Sequence, residues 1–235
     1  YNILILNNKG TRYIMKISSD TINILKNFSG INANLVFKPG GQLKTLSEAK
    51  TIMATASTKE DFPVEFGVYD LNEFLSLFSL MEQPSLEFSD KFLTMSDGSQ
   101  KIKYFYSEID ILTQPTKDIN MPECEVLLDI SAENMDKIRK AAAVLGHSEL
   151  AFTCTGEDVT ASVFNEKDAT ANTFDINLGI ANSNTFNYVF SISNLKMLHG
   201  DYKVSISSKL ISNWKNETNP LDYFIALEKS SSFGV

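Results

Sequence analysis

The chain is short of the residues that do chemistry. Its 235 residues contain two histidines, two cysteines, one tryptophan and six prolines. Cys124 and Cys154 lie far apart and without partners at metal-ligand spacing. They exclude a disulfide framework and a cysteine metal cluster, and read as reduced thiols. The histidines, His147 and His199, each fall at the expected end of a helix. There the helix dipole favours a solvated imidazole, and neither has a nucleophile and an orienting acid beside it in the sequence. Pro39-Gly40-Gly41 lacks the Lys-Ser/Thr that completes a phosphate-cradling loop. The acid pairs Glu60-Asp61 and Glu157-Asp158 fall in expected turns and read as solvated loop charge. No cofactor, metal site or enzymatic reaction is expected.

Long apolar runs are also missing. Nothing approaches the ~20 uninterrupted apolar residues of a membrane-spanning helix. Asn216-Glu217-Thr218 matches a glycosylation sequon, but no secretory signal is read before it. Positive charge is in deficit, with 21 Lys and Arg against 29 Asp and Glu, a formal net charge of −8. Such a chain does not grip nucleic acid by general attraction. A small basic patch on an acidic body remains open to it.

What the chain does have is 43% apolar residues, rich in Phe and Tyr, enough for a packed core. The first fourteen residues stand apart. Ile3-Leu4-Ile5-Leu6 leads into Asn7-Asn8-Lys9-Gly10, and Met15-Lys16-Ile17-Ser18 reads as a natural start. Residues 1–14 are expected to be a leader or non-native extension, with Lys9-Gly10 matching a purine-rich ribosome-binding sequence read as codons. An ordinary extra N-terminal strand is the alternative.

The most informative feature is a repeat. Ile17-Ser18-Ser19-Asp20-Thr21-Ile22 matches Ile130-Ser131-Ala132-Glu133-Asn134-Met135 in pattern: an apolar residue, a Ser, an acid two positions on, then apolar residues at helical spacing. Ser caps the free N–H groups of a helix start, and an acid in the first turn favours the positive end of the dipole. Helices are therefore predicted after Ser18 and Ser131. Each leads into an expected hairpin. The first joins Leu35–Phe37 to Leu43–Leu46 through Pro39-Gly40-Gly41, the second joins Leu150–Thr153 to Val159–Val163 through Thr155–Asp158. Two further helices are predicted, over Val68–Phe78 capped by Asp70 and over Phe190–Leu198 capped by Ser193. Strands follow at Leu86–Phe88, Phe92–Met95, Tyr202–Ile211 and Tyr223–Leu227. Helix, hairpin and strands thus recur in two similar halves, an α+β class. The expected divisions are 15–113 and 124–235, with a proline-bearing connector at 114–123.

These residues resemble the sliding clamps of T-even-type tailed bacteriophages, distant relatives of proliferating cell nuclear antigen. The similarity runs from Met15 to the C-terminus. It is carried by Met15-Lys16-Ile17-Ser18, Val68-Tyr69-Asp70-Leu71-Asn72 with Phe74-Leu75, Asn194-Leu195-Lys196-Met197 through Gly200-Asp201-Tyr202-Lys203, and Tyr223-Phe224-Ile225-Ala226-Leu227-Glu228. No one piece is diagnostic; their order and spacing carry the resemblance. The N-terminal segment and Asn213-Trp214-Lys215-Asn216-Glu217 depart from the family. The resemblance implies a homotrimeric closed ring with outer sheets and inner helices. A clamp loader would place it on double-stranded DNA, without regard to sequence, where it would hold the phage DNA polymerase in the cytoplasm of the infected bacterium.

A clamp needs scattered cations inside its hole, since Lys and Arg attract phosphate without reading bases. The expected DNA-facing residues are Lys16, Lys26, Lys137, Arg139, Lys140 and Lys196. Ordinary solvated helix faces are the alternative, and the second helix, with Asp70, Glu73 and Glu82, has no base to add. Met121, Leu221, Tyr223 and Phe224 are the expected walls of a pocket for a partner's apolar peptide, with core packing as the alternative for each. Subunits are expected to pair edge strands, bringing Tyr104, Phe105 and Tyr106 against Phe174 and Ile176 of a neighbour. The competing function is a tail or baseplate ring protein, in which duplicated β-rich domains also assemble symmetrically. A hydrolase is disfavoured by the missing nucleophile and base.

Overall fold

The computed structural model describes the backbone of residues 3–7 and 10–234 and the side chains from Tyr13 to Gly234. Lys9, part of the expected leader, lies outside the described residues. The chain forms two compact units that divide between Lys117 and Asp118.

The first unit runs β1 (Ile3–Asn7), β2 (Gly10–Met15), α1 (Ser19–Ile31), β3 (Leu35–Phe37), β4 (Gly40–Leu46), β5 (Ile52–Phe62), β6 (Phe66–Val68), α2 (Leu71–Phe78), β7 (Ser85–Phe88), β8 (Phe92–Asp97) and β9 (Gln100–Phe105). An antiparallel sheet of order β1-β2-β7-β8-β9 ends on β9. β2 enters it by pairing Ile14 with Glu87 and Met15 with Leu86. The second unit runs β10 (Val126–Ile130), α3 (Ala132–Leu145), β11 (Glu149–Thr155), β12 (Asp158–Phe164), β13 (Phe174–Ala181), β14 (Thr185–Ser191), β15 (Tyr202–Ser207), β16 (Ile211–Asn216), β17 (Leu221–Ala226) and β18 (Ser232–Phe233). Its strands order as β10-β15-β16-β17 and as β13-β12-β11-β14-β18, the latter ending on β13.

The repeat is visible in the pairing. β3 bonds β6 as β11 bonds β14, and β4 bonds β5 as β12 bonds β13. Both predicted Ser caps are present: Ser18 accepts from Thr21 N–H and Ser131 from Asn134 N–H. Asp70 caps α2 by accepting from Asn72 and Glu73. Apolar residues at helical spacing bury one face of α1 through Ile24, Leu25, Phe28 and Ile31. Gly146 closes α3 at φ +70°, a left-handed position that costs an L side chain strain.

Two sequence expectations are corrected. Pro39-Gly40-Gly41 is not a hairpin turn: β3 bonds β6, while β4 turns into β5 through Ser47–Thr51, with Lys50 at φ +57°. The Ser47 hydroxyl closes that turn by accepting from the Thr51 and Ile52 N–H groups. The predicted hairpin of β11 and β12 does form. The predicted fourth α-helix does not. Phe190 and Ser191 belong to β14, and Ile192–Asn194 make a single 3₁₀ turn. Among the described residues there are three α-helices, and the 3₁₀ turn stands in the repeat where α2 stands in the first unit.

Each unit has its own aromatic core. In the first, Phe37 stacks on Phe66 at 4.4 Å between centroids, with Phe62 and Phe74 tilted against it. In the second, Trp214 meets Phe152, Phe190 and Tyr202 at 5.7–6.2 Å and donates Nε1–H to Ser212. The stretch that departed from the family in sequence is thus strand β16, with its tryptophan in the core. Asn216 of the sequon is buried and accepts from the Thr218 and Asn219 N–H groups.

Candidate nucleic-acid interface and subunit edges

Each of the long helices begins at a carboxylate brought from a distant part of the chain. Ser18 N–H and the Thr21 hydroxyl both donate to Glu60 of β5. Ala132 N–H donates to Asp201 at 2.7 Å. Glu60 is 6% exposed, so the expectation of a solvated turn acid is wrong for it. Burial pushes its pKa up, but the hydrogen bonds from Thr21 and Ser18 outweigh that and hold it below the usual carboxylate range. The carboxylate fixes where α1 starts, and so which residues face out.

The outward face of α1 carries Asn23 and Lys26, both exposed, and Asp20, whose carboxylate pairs with Lys59 at 2.7 Å. Lys16 is exposed just before α1 and donates to Gln83 at 3.4 Å. On α3, Lys137 pairs with Glu133 one turn earlier at 2.6 Å, and Lys140 is exposed one turn further on. Arg139 does not join that face. Its guanidinium donates to the carbonyls of Leu195 and Met197 at 3.3 and 3.2 Å. It is half-buried and ties the segment after β14 to α3. Lys196, between those two carbonyls, is exposed but sits on irregular backbone rather than on the predicted helix.

The expected peptide pocket is half corrected. Leu221 and Tyr223 are 1% and 0% exposed and face the core of the second unit, where the Tyr223 hydroxyl accepts from Leu198 N–H. Strand alternation places Phe224 on the opposite face, half-exposed, and Met121 is half-exposed before β10. The choice of consecutive positions on β17 mixed its two faces.

The expected subunit strands do lie at sheet ends. β9 ends the sheet of the first unit and β13 one sheet of the second. Phe105 is 62% exposed, and the Lys103 ammonium lies 4.8 Å from its ring centroid and 3.7 Å from that of Phe92. Tyr104 packs edge-on against Phe74 of α2 at 5.1 Å. Burial, then the charges of Glu73 and Asp70, push its phenol up to about 12. Tyr106 follows β9 and stacks on Phe66. On β13, Phe174 and Ile176 alternate inward with Leu178 and Ile180 and stay half-exposed.

Sequence reasoning missed the open groove between α3 and β13. It has a volume of about 370 Å³ and is lined by Ala141, Val144, Leu145, Thr173 and Phe174, with Lys137 and Lys140 on its rim. Val144 was the available signal. It falls at helical spacing on the lysine stripe and is 77% exposed, an apolar residue on an otherwise solvated face.

Residues 127–229 match the family model described as gp45 sliding clamp, C terminal. The sliding clamp of Vibrio phage KVP40 is 35% identical over 221 residues, covering 91% of this chain and 99% of that protein. The sliding clamp of Escherichia phage RB69 is 28% identical over 228 residues, covering 93% and 99%. Among solved structures, the proliferating cell nuclear antigen of A. fulgidus, bound to the C-terminal region of FEN-1, superposes with a TM-score of 0.69 at 14% identity, over 94% of this chain and 99% of that one. That likeness concerns the fold, two α+β units of antiparallel sheets with few helices. The relatives are clamps, and the tail or baseplate alternative is set aside. The chain belongs to the family of bacteriophage DNA sliding clamps.

Proposed function

We propose that three copies of the chain close head to tail into a ring around double-stranded DNA and carry out no reaction of their own. The observation that carries this is the pair of open strands: β9 ends a sheet in the first unit and β13 ends one in the second. Unpaired edges invite strand addition. Because the two edges differ, their pairing is heterologous, which generates closed rings or open filaments rather than a two-fold dimer. Each edge has a helix beside it. α2, with Asp70 and Glu73, lies against Tyr104 of β9, and α3, with Lys137 and Lys140, borders the groove beside β13. Opposite charges thus accompany the two edges that would meet, and Phe105, Phe174 and Ile176 supply apolar area between them.

Inside the ring, Lys26, Lys137, Lys140 and Lys196, with Lys16 nearer the rim, would form a sparse cationic track. A few lysines attract phosphate without holding it fast, which a sliding protein needs. The net charge of −8 leaves the rest of the surface repellent to DNA. Arg139 drops out of this set as a direct contact. The ring tethers the replicative polymerase and is placed by a clamp loader, in the cytoplasm of the infected bacterium. Met121 and Phe224 are the half-exposed remainder of the expected docking site for a partner's apolar peptide.

The test is the solution mass by light scattering, for the wild type and for Tyr104→Pro. Proline removes an N–H and clashes within a paired strand. The wild type is expected at three chain masses and the variant at one. A wild type that stays at one chain mass at concentrations well above micromolar would contradict the ring, as would an unaltered trimer in the variant.

A further inference from the structure

The segment between β14 and β15 presents a lysine without a helix to hold it. After the 3₁₀ turn at Ile192–Asn194 the backbone is irregular through Gly200 and Asp201. Irregular backbone has no ladder to satisfy its carbonyls, so side chains must do it. Arg139 supplies this at one place: a single guanidinium nitrogen donates to Leu195 O at 3.3 Å and to Met197 O at 3.2 Å. These carbonyls flank Lys196 on both sides. The side chains of Leu195 and Met197 are buried at 4% and 6% exposure, while Lys196 between them is exposed. Further ties hold the next residues. Tyr202 donates its hydroxyl to Leu198 O at 2.6 Å, Leu198 N–H donates to the Tyr223 hydroxyl, and His199 meets Asp136 of α3 at 3.0 Å.

We infer that Arg139 is a positioning residue for Lys196: its guanidinium clamps the backbone on either side of that lysine and so sets where the ammonium is offered to DNA. This rests on the proposal that Lys196 faces the DNA. The planar, rigid guanidinium suits a grip on two carbonyls. A lysine ammonium in its place is a point charge on a flexible stem and does not reproduce the geometry. Arg139 therefore acts on DNA through its neighbour, although it stands within the basic cluster of α3.

The experiment measures binding of the full chain to a short fluorescent duplex by anisotropy across a series of NaCl concentrations. It compares wild type, Lys196→Gln, Arg139→Lys and the double variant. Removing one phosphate contact lowers the slope of log K against log salt by about 0.9. Lys196→Gln removes one such lysine from each of the three subunits of the proposed ring, and is expected to lower the slope by that amount for each of the three that meets a phosphate. Arg139→Lys, which keeps the charge, is expected to lower it comparably, and the double variant no further than Lys196→Gln alone. Hydrogen exchange is the second readout: residues 195–199 of Arg139→Lys are expected to exchange about tenfold faster, with α3 unchanged. If Lys196→Gln lowers the slope and Arg139→Lys does not, the positioning role is wrong while the DNA contact stands. Unchanged exchange at 195–199 overturns the clamp on the backbone. An unchanged slope in Lys196→Gln instead removes the contact on which the inference rests.

Discussion

Replacing Glu60 by Gln keeps the shape of the side chain and removes its charge. In the folded protein the carboxylate is buried and accepts from Ser18 N–H and from the Thr21 hydroxyl, at the positive end of α1. A hydrogen bond to a charged group contributes about 1.5–3 kcal/mol and a neutral one about 0.5–1.5, so two weakened bonds lose roughly 2 kcal/mol. The lost interaction with the helix dipole adds about 0.3–1 kcal/mol. Desolvation of the carboxylate opposes both, and its lowered pKa shows that the hydrogen bonds win. The expected loss is therefore about 2–3 kcal/mol, or a drop in Tm of roughly 4–12 °C at this chain length. Thermal unfolding followed by circular dichroism at neutral pH measures it. The pH dependence gives a second check. A carboxylate whose folded pKa is depressed stabilises the fold above its unfolded value, about 4.3 for Glu, and loses that contribution as pH falls through the folded value. The gap between wild type and Glu60→Gln should thus be full at pH 7 and close below pH ~4. A variant within about 0.5 kcal/mol of wild type at pH 7, the range of ordinary surface changes, would refute the assigned role.

Three further outcomes are expected. Trp214→Ala should cost about 3–5 kcal/mol in chemical denaturation, because the indole is fully buried among Phe152, Phe190 and Tyr202. Lys137→Glu with Lys140→Glu should shorten the products of clamp-dependent primer extension, and products of unchanged length would remove both lysines from the DNA track. Deleting residues 1–14 should leave soluble, trimeric protein in gel filtration. Insoluble protein would show that the pairing of β2 with β7 is needed and that the segment is no mere leader.

Local signals in the sequence were legible where one short-range interaction decides the structure. Ser18, Asp70 and Ser131 each cap the helix predicted after them, and Asp97-Gly98 turns β8 into β9. Most of the failures share one cause, partners far along the chain. β3 chooses β6 rather than β4, a choice decided by long-range packing of Phe37 on Phe66 and invisible to a scan for turns. Glu60 looked like loop charge because the helix start it serves lies 42 residues away. The predicted helix near Lys196 yields to Arg139, Tyr202 and Tyr223, which satisfy its backbone from outside. At the candidate site, exposure of Lys26, Lys137 and Lys140 followed from helical spacing, whereas Arg139 and Leu221 were misread because a polar head or an apolar body alone does not tell which face a residue occupies.

Topology is the claim that sets a clamp apart from any other DNA-binding protein. The chain, loaded with its clamp loader and ATP on singly nicked circular DNA, should co-elute with the circle in gel filtration. Cutting the circle once with a restriction enzyme should release it, because a ring runs off free ends. Protein that remains bound after linearisation, or that is never retained on the circle, would contradict the ring.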